Sequence, residues 1–103
     1  MHVFDFNEIE GLPYEERHKN VLYNTDAFKI RVIDLPENGS MPECNMKTHV
    51  VFVVMHGWVD ITINGQVQSL KENQGLASEP AVFSMKTDKG AKLMGIRIKK
   101  TIQ

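Results

Sequence analysis

Short runs of β-branched and aromatic residues, each closed by Gly, Pro, Asn or Asp, recur about every 8 to 12 residues, and no sustained helical periodicity competes with them. A chain patterned this way builds sheets. The spacing predicts strands over Asn20–Tyr23, Ala27–Leu35, Asn45–Met55, Val59–Ile63, Gln66–Leu70, Gly75–Ser78, Val82–Thr87 and Lys92–Lys99. With no helix to cover a flat sheet, these strands are expected to form a sandwich or a barrel that closes on itself.

The turns carry their own mechanisms. Asn64-Gly65, between two alternating runs, supplies the positive φ that a two-residue hairpin needs, and pairing about it sets Thr62 opposite Val67 and Val59 opposite Leu70. The apolar faces then match only in part, which points to a bulge in that hairpin. The stretch from Leu35 to Pro42 holds two prolines, which lack the ladder donor, and Gly39, which permits a reversal; it reads as a loop. Asp88-Lys-Gly90 is expected to make a tight turn before the last strand.

Cys44 to Met55 is the most informative segment. If it is one extended strand, Cys44, Met46, Thr48, Val50, Phe52 and Val54 share one face, almost wholly apolar. Asn45, Lys47, His49, Val51, Val53 and Met55 share the other, polar at first and apolar from Val51 on. The second half of that strand therefore needs cover on both sides, from another sheet, the N-terminal segment or a second subunit.

Composition narrows the function classes. The chain has 103 residues, a formal charge of −1 and four histidines at scattered positions, so no basic field is present to hold a nucleic acid or an anionic membrane. One domain is expected, which at this length buries enough surface for a single core. A lone Cys44 excludes an intramolecular disulfide framework and fits a reducing compartment. The N-terminus lacks the pattern of a signal peptide, and the longest apolar run, Val50 to Met55, falls far short of a membrane span. A cytoplasmic location is the expectation.

With these features in order, the chain resembles the cupin superfamily, all-β jelly-roll barrels of the double-stranded β-helix type. Gly39, Val50-Val-Phe-Val-Val-Met-His-Gly57, Ile61-Thr-Ile-Asn-Gly65, Leu70, Gly75 and Pro80-Ala-Val-Phe-Ser-Met-Lys-Thr87 follow the two motifs of that family. The resemblance covers residues 27 to 99, the barrel; residues 1 to 26 would be an N-terminal segment and first strand. It implies metal ligands at fixed places: paired histidines at Cys44 and Met46, a glutamate at Val50, and a third histidine at Phe83 or Met85 depending on the alignment. No imidazole or carboxylate stands at any of them. The set does not suit iron, manganese, nickel or zinc.

Each residue admits a plain reading beside the functional one. Cys44, Met46 and Met85 would form a soft sulfur set for a cuprous ion. The preferred reading is a lost metal site filled with apolar side chains, since Met and free Cys are ordinary gap-fillers. By strand parity His49 points out of the barrel, and His56 is expected in solvent. His18 belongs to the charge run Glu15-Glu-Arg-His-Lys19, read as a solvated stretch, and His2 sits near a terminus. Glu43 and Glu79 are the carboxylates nearest a barrel mouth, and Trp58 either packs beneath a mouth or offers a stacking surface.

The sequence therefore predicts a single-domain barrel without catalytic residues or cofactor, acting as a metal-free module that binds or senses a small molecule. Its cavity would be lined by Cys44, Met46, Val50, Phe52, Phe83 and Met85. The alternative is an enzyme using an atypical metal or a mouth carboxylate on a sugar or small carbonyl compound. A third reading is a purely structural dimer whose interior is filled by Phe83 and Met85. A homodimer is expected in each case, because Val51, Val53 and Met55 need cover, some of it from Val3-Phe-Asp-Phe6 and Ile9.

Overall fold

A computed structural model of the chain describes residues 1 to 10, 12 and 14 to 99, with backbone only at residue 17. Eight strands follow one short 3-10 helix, Tyr14–Lys19: β1 (Val21–Asn24), β2 (Phe28–Leu35), β3 (Ser40–Met46), β4 (Val50–Ile63), β5 (Gln66–Lys71), β6 (Gly75–Ser78), β7 (Ala81–Lys86) and β8 (Ala91–Ile98). All pairings between these strands are antiparallel. One sheet runs β1-β2-β8-β4-β6 and the other β3-β7-β4-β5, so β4 belongs to both. The result is a curled jelly roll.

The length of β4 explains how one strand serves two sheets. Val50 to Gly57 pair with β8 on one side, and Val50 to Val53 with β6 on the other. From Trp58 onward the partners are β5 and β7. A register shift between Val54 and His56 and a φ of +79° at Gly57 accommodate the bend. The sequence reading ended one strand at Met55 and began the next at Val59; the chain instead turns the corner at Gly57 without leaving the ladder. A side chain is excluded, because a Cβ at Gly57 would lie 2.3 Å from the carbonyl oxygen of Gly90.

Two other expectations are corrected. Cys44–Met55 is not one strand: it divides at Lys47-Thr48-His49 into β3 of one sheet and β4 of the other. Three intervening residues preserve the side-chain parity. Cys44 and Met46 are half-buried and Val50, Phe52 and Val54 buried, while Asn45, Lys47 and His49 are exposed. The region read as a loop up to Pro42 already enters β3 at Ser40. Proline is tolerated because β3 is an edge strand with a register shift between Met41 and Cys44. The left-handed residue of the preceding reversal is Asn38, at φ 58°, and not Gly39.

The hairpin about Asn64-Gly65 has the anticipated register, Thr62 opposite Val67 and Val59 opposite Leu70, with φ 47° and 87° at the turn. No bulge interrupts it. The mismatch is resolved differently: β5 is an edge strand whose Gln66 to Ser69 stay in solvent, leaving Val67 at 64% exposure and only Leu70 buried. Asn64 also ties the hairpin to β7, its side-chain Oδ1 accepting from the Val82 amide at 2.9 Å. The Asp88-Lys-Gly90 turn is held by Thr87, whose hydroxyl donates to the Trp58 carbonyl at 2.7 Å and accepts from the Gly90 amide at 3.2 Å.

Between the sheets lies the core. Ile33, Leu35, Val54 and Leu93 come from one sheet and Val59, Ile61, Phe83 and Met85 from the other, all nearly or fully buried. Each such side chain contributes about 1.5–3 kcal/mol of burial. Phe52 and Phe83 meet edge to face across the gap, with ring centroids 5.7 Å apart. On the outer surface of the first sheet, the N-terminal segment packs Phe4 against Tyr23, and Lys92 Nζ donates to the carbonyls of Phe6 and Ile9. Val3, expected to help cover that surface, is 86% exposed.

The bend in β4 yields a direct test. Gly57→Ala is expected to lower the unfolding free energy by roughly 3 kcal/mol or more, because a left-handed backbone cost adds to the collision with the Gly90 carbonyl. Gly65→Ala, with φ +87° and open space around the added atom, should lose only about 1–2 kcal/mol. Urea denaturation midpoints check this, and equal losses would contradict it.

Candidate functional site

Strand pairing dictates what the inner face of the first sheet presents. Along β2 the inward residues are Leu35, Ile33, Arg31 and Lys29, and across the ladder from them on β8 stand Ala91, Leu93, Gly95 and Arg97. β4 continues the same rows with Val54 beside Leu93, Phe52 beside Gly95 and Val50 beside Arg97. The face is thus apolar at one end and cationic at the other. The apolar end closes into the core. The cationic end opens into a cavity of about 470 Å³.

Both sheets and the 3-10 helix contribute walls. Ile33, Val50 and Phe52 come from the first sheet, and Met41, Cys44 and Met46 from β3 of the second. Lys29, Arg31 and Arg97 also line the cavity, as do Tyr14, Glu15 and His18 of the helix, which packs against β2. Gly95 keeps the floor open: a Cβ there would stand 3.4 Å from the Phe52 ring and 4.0 Å from the Arg31 stem. Cys44 Sγ lies 3.9 Å from Met46 Sδ, so two of the anticipated residues touch through their sulfurs. Thr48, between Met46 and Val50, keeps its hydroxyl oxygen buried with no hydrogen-bond partner among the described residues.

Of the six residues expected to line a cavity, Cys44, Met46, Val50 and Phe52 do so. Phe83 and Met85 do not. They pair with Cys44 and Met41 across the β3–β7 ladder and are 0% and 3% exposed, so they are consumed as core beneath the cavity. The interior is not filled by them, however, and the remaining volume is within the ~300–1,000 Å³ usual for small-molecule sites. With Met85 off the wall, the sulfur-bearing residues that share the cavity are Met41, Cys44 and Met46.

The other candidates fall away from this site. His49 is exposed, and His56 lies in solvent with Nδ1 3.1 Å from Glu72. Glu43 and Glu79 are exposed and line neither this cavity nor the second depression. Trp58 lines that second, more open depression of about 510 Å³, together with Leu35, Ala91 and the turn at Gly90. His2 packs edge-on against Tyr23, ring centroids 4.6 Å apart. His18 and Glu15, read as members of a solvated run, stand at the cavity mouth because that run folds into the 3-10 helix packed against β2. The side chain of residue 17 lies outside the described residues.

A hard-metal centre does not fit these walls. The positions that would hold imidazoles and a carboxylate carry a thiol, a thioether, a valine and a core phenylalanine or methionine, and no group of three His, Cys, Asp or Glu gathers anywhere among the described residues. What the arrangement offers is a chamber walled by apolar and sulfur-bearing side chains, with Lys29, Arg31, Arg97, Tyr14, Glu15 and His18 among its lining.

No family model matches the sequence, and no curated protein matches it. Solved structures do match in shape. TT1209 from Thermus thermophilus aligns with a TM-score of 0.80 at 11% identity, covering 95% of this chain and 97% of that one. A cupin-2 domain containing protein from Shewanella frigidimarina aligns at 0.77 with 16% identity, covering 93% and 94%. A cupin superfamily protein from Desulfitobacterium hafniense aligns at 0.73 with 16% identity, covering 78% and 74%. The β4 corner, the two-sheet register and these alignments together identify the chain as a jelly roll with the fold of the cupin superfamily.

Proposed function

We propose that the protein is a metal-free cupin-fold module that binds a small molecule in the chamber between its sheets. The observation that supports this best is the chamber itself: about 470 Å³ of space survives where the ligand positions of a metal-binding barrel have been replaced by Cys44, Met46 and Val50. A vestigial site with no role would be free to collapse, because Met and Phe side chains nearby have the reach to close it. The fold alone does not decide between binding and catalysis, so the reading rests on the lining residues.

Elemental analysis by inductively coupled plasma mass spectrometry tests it. Protein expressed in medium supplemented with iron, manganese, nickel, zinc and copper should carry only substoichiometric metal. One equivalent of any of them would overturn the metal-free reading, and copper lost on Cys44→Ser would place it on the sulfurs. Because Cys44 is half-buried and its serine replacement reaches the cavity, that variant is expected to change stability by less than about 1 kcal/mol.

The partner we propose for the outer face of the first sheet is a second copy of the chain. Val51, Val53, Ile30 and Ile96 lie on that face and remain only half-buried, and such a strip favours association through a two-fold axis. Sedimentation equilibrium should return a dimer that Val51→Lys converts to monomer. A monomeric parent protein would refute it.

A further inference from the structure

The chamber carries sulfur on the wall from one sheet and an aromatic ring on the wall from the other. Met41, Cys44 and Met46 come from β3, while Val50 and Phe52 come from β4 and Gly95 from β8. Met41, Val50 and Phe52 are only 3%, 2% and 3% exposed, so what they present is an inner surface. The polar groups of the lining are otherwise occupied. Tyr14, Lys29 and Arg31 are already engaged in interactions of their own, and Glu15, His18 and Arg97 are exposed to solvent. Selection among ligand bodies therefore falls to the sulfur and phenyl groups.

Packed sheets stand about 10 Å apart, so the space between these two is a slot one side-chain layer thick. Gly95 deepens it. A Cβ there would meet the Phe52 ring at 3.4 Å and 3.6 Å, so the missing side chain lets that ring settle against the sheet. Phe83 holds the same ring edge to face, with centroids 5.7 Å apart. Between such walls a flat body fits with less disturbance than a puckered one. Thioether sulfurs add a preference of their own, because they make favourable contacts at aromatic ring edges that saturated carbon does not provide. Room is sufficient: an apolar cavity of roughly 150 Å³ holds benzene, and about 470 Å³ is present here.

Resting on the small-molecule reading above, we propose that the chamber selects a ligand with a planar aromatic body of two or three fused rings. The rings lie between Met41 and Met46 of one sheet and Val50 and Phe52 of the other, with ring edges toward the sulfurs. A polar substituent stays at the open end, beside the exposed Glu15, His18 and Arg97. A saturated body of the same carbon skeleton loses both the sulfur contacts and the flat fit.

Isothermal titration with 2-naphthol and decahydro-2-naphthol tests this, since the two share a skeleton and a hydroxyl and differ in aromaticity alone. The naphthol should bind about fivefold or more tightly. Met41→Leu and Met46→Leu together keep the size and apolarity of the wall while removing its thioethers, and should bring that ratio to about twofold or less. Gly95→Leu, shown by circular dichroism to remain folded, should abolish naphthol binding by filling the slot. Equal affinities for the two alcohols, or an unchanged ratio in the double leucine variant, would overturn the aromatic selection and leave the small-molecule reading standing. Retention of naphthol binding in folded Gly95→Leu would move the ligand elsewhere and overturn the proposal. Binding of neither alcohol at millimolar concentration would overturn both.

Discussion

Everything in this barrel depends on one close approach, that of the backbone at Gly57 to the carbonyl of Gly90. Strand β4 can pass from one sheet to the other only if the chain bends there, and the bend leaves no room for a side chain. The ladder on its β8 side gives way by one register step at Val54–His56, and the new partners begin at Trp58. Thr87 fastens the same corner from the opposite strand by donating to the Trp58 carbonyl. Closed at this end, the two sheets are obliged to separate toward the other. That is where the chamber lies.

The chamber's chemistry follows from the same register. Each inward row of the first sheet crosses β2, β8 and β4 at a fixed height, so a change in residue type along one strand becomes a change of layer in the molecule. The Leu35 and Ile33 rows meet Val59, Ile61 and Phe83 from the second sheet and exclude water. The Arg31 and Lys29 rows meet Cys44, Met46 and the 3-10 helix, and do not. Phe52, packed edge-on against Phe83, marks the boundary between the two regimes. The layering of apolar and charged side chains along the sheet is therefore a property of strand order and parity, and the 3-10 helix completes the wall.

Much of this was legible in the residues. The turn at Asn64-Gly65, the hairpin register and the inward parity of Cys44, Met46, Val50 and Phe52 are local consequences of φ preference and strand alternation, and each appears in the structure as read. The break at Lys47-Thr48-His49 was hidden because three residues keep the alternation in phase across it. The charged lining was hidden for a different reason. On β2 the alternation sets Phe28, Ile30 and Val32 against Lys29 and Arg31, and ordinary patterning would send the apolar set inward. Here the apolar set faces outward beneath the N-terminal segment and the half-buried strip, while the cations face the chamber. Only the pairing of Lys29 with Arg97 and of Arg31 with Gly95 resolves that choice. His18 and Glu15 were missed because a short charged 3-10 turn carries no hydrophobic periodicity to announce that it packs on anything.

If the space between the sheets, walled by sulfur and phenyl groups, is the binding site, a ligand must perturb the methionines inside the barrel and spare those outside it. Methyl NMR of protein labelled at the methionine methyls separates the two sets, since Met41 and Met46 line the chamber while Met94 pairs with Val32 and Val53 on the outer face. On titration with 2-naphthol, ring-current shifts should appear at Met41 and Met46 and leave Met94 unmoved. Shifts confined to Met94, with Met41 and Met46 silent at saturation, would put the ligand on the outside of the barrel and contradict a site between the sheets.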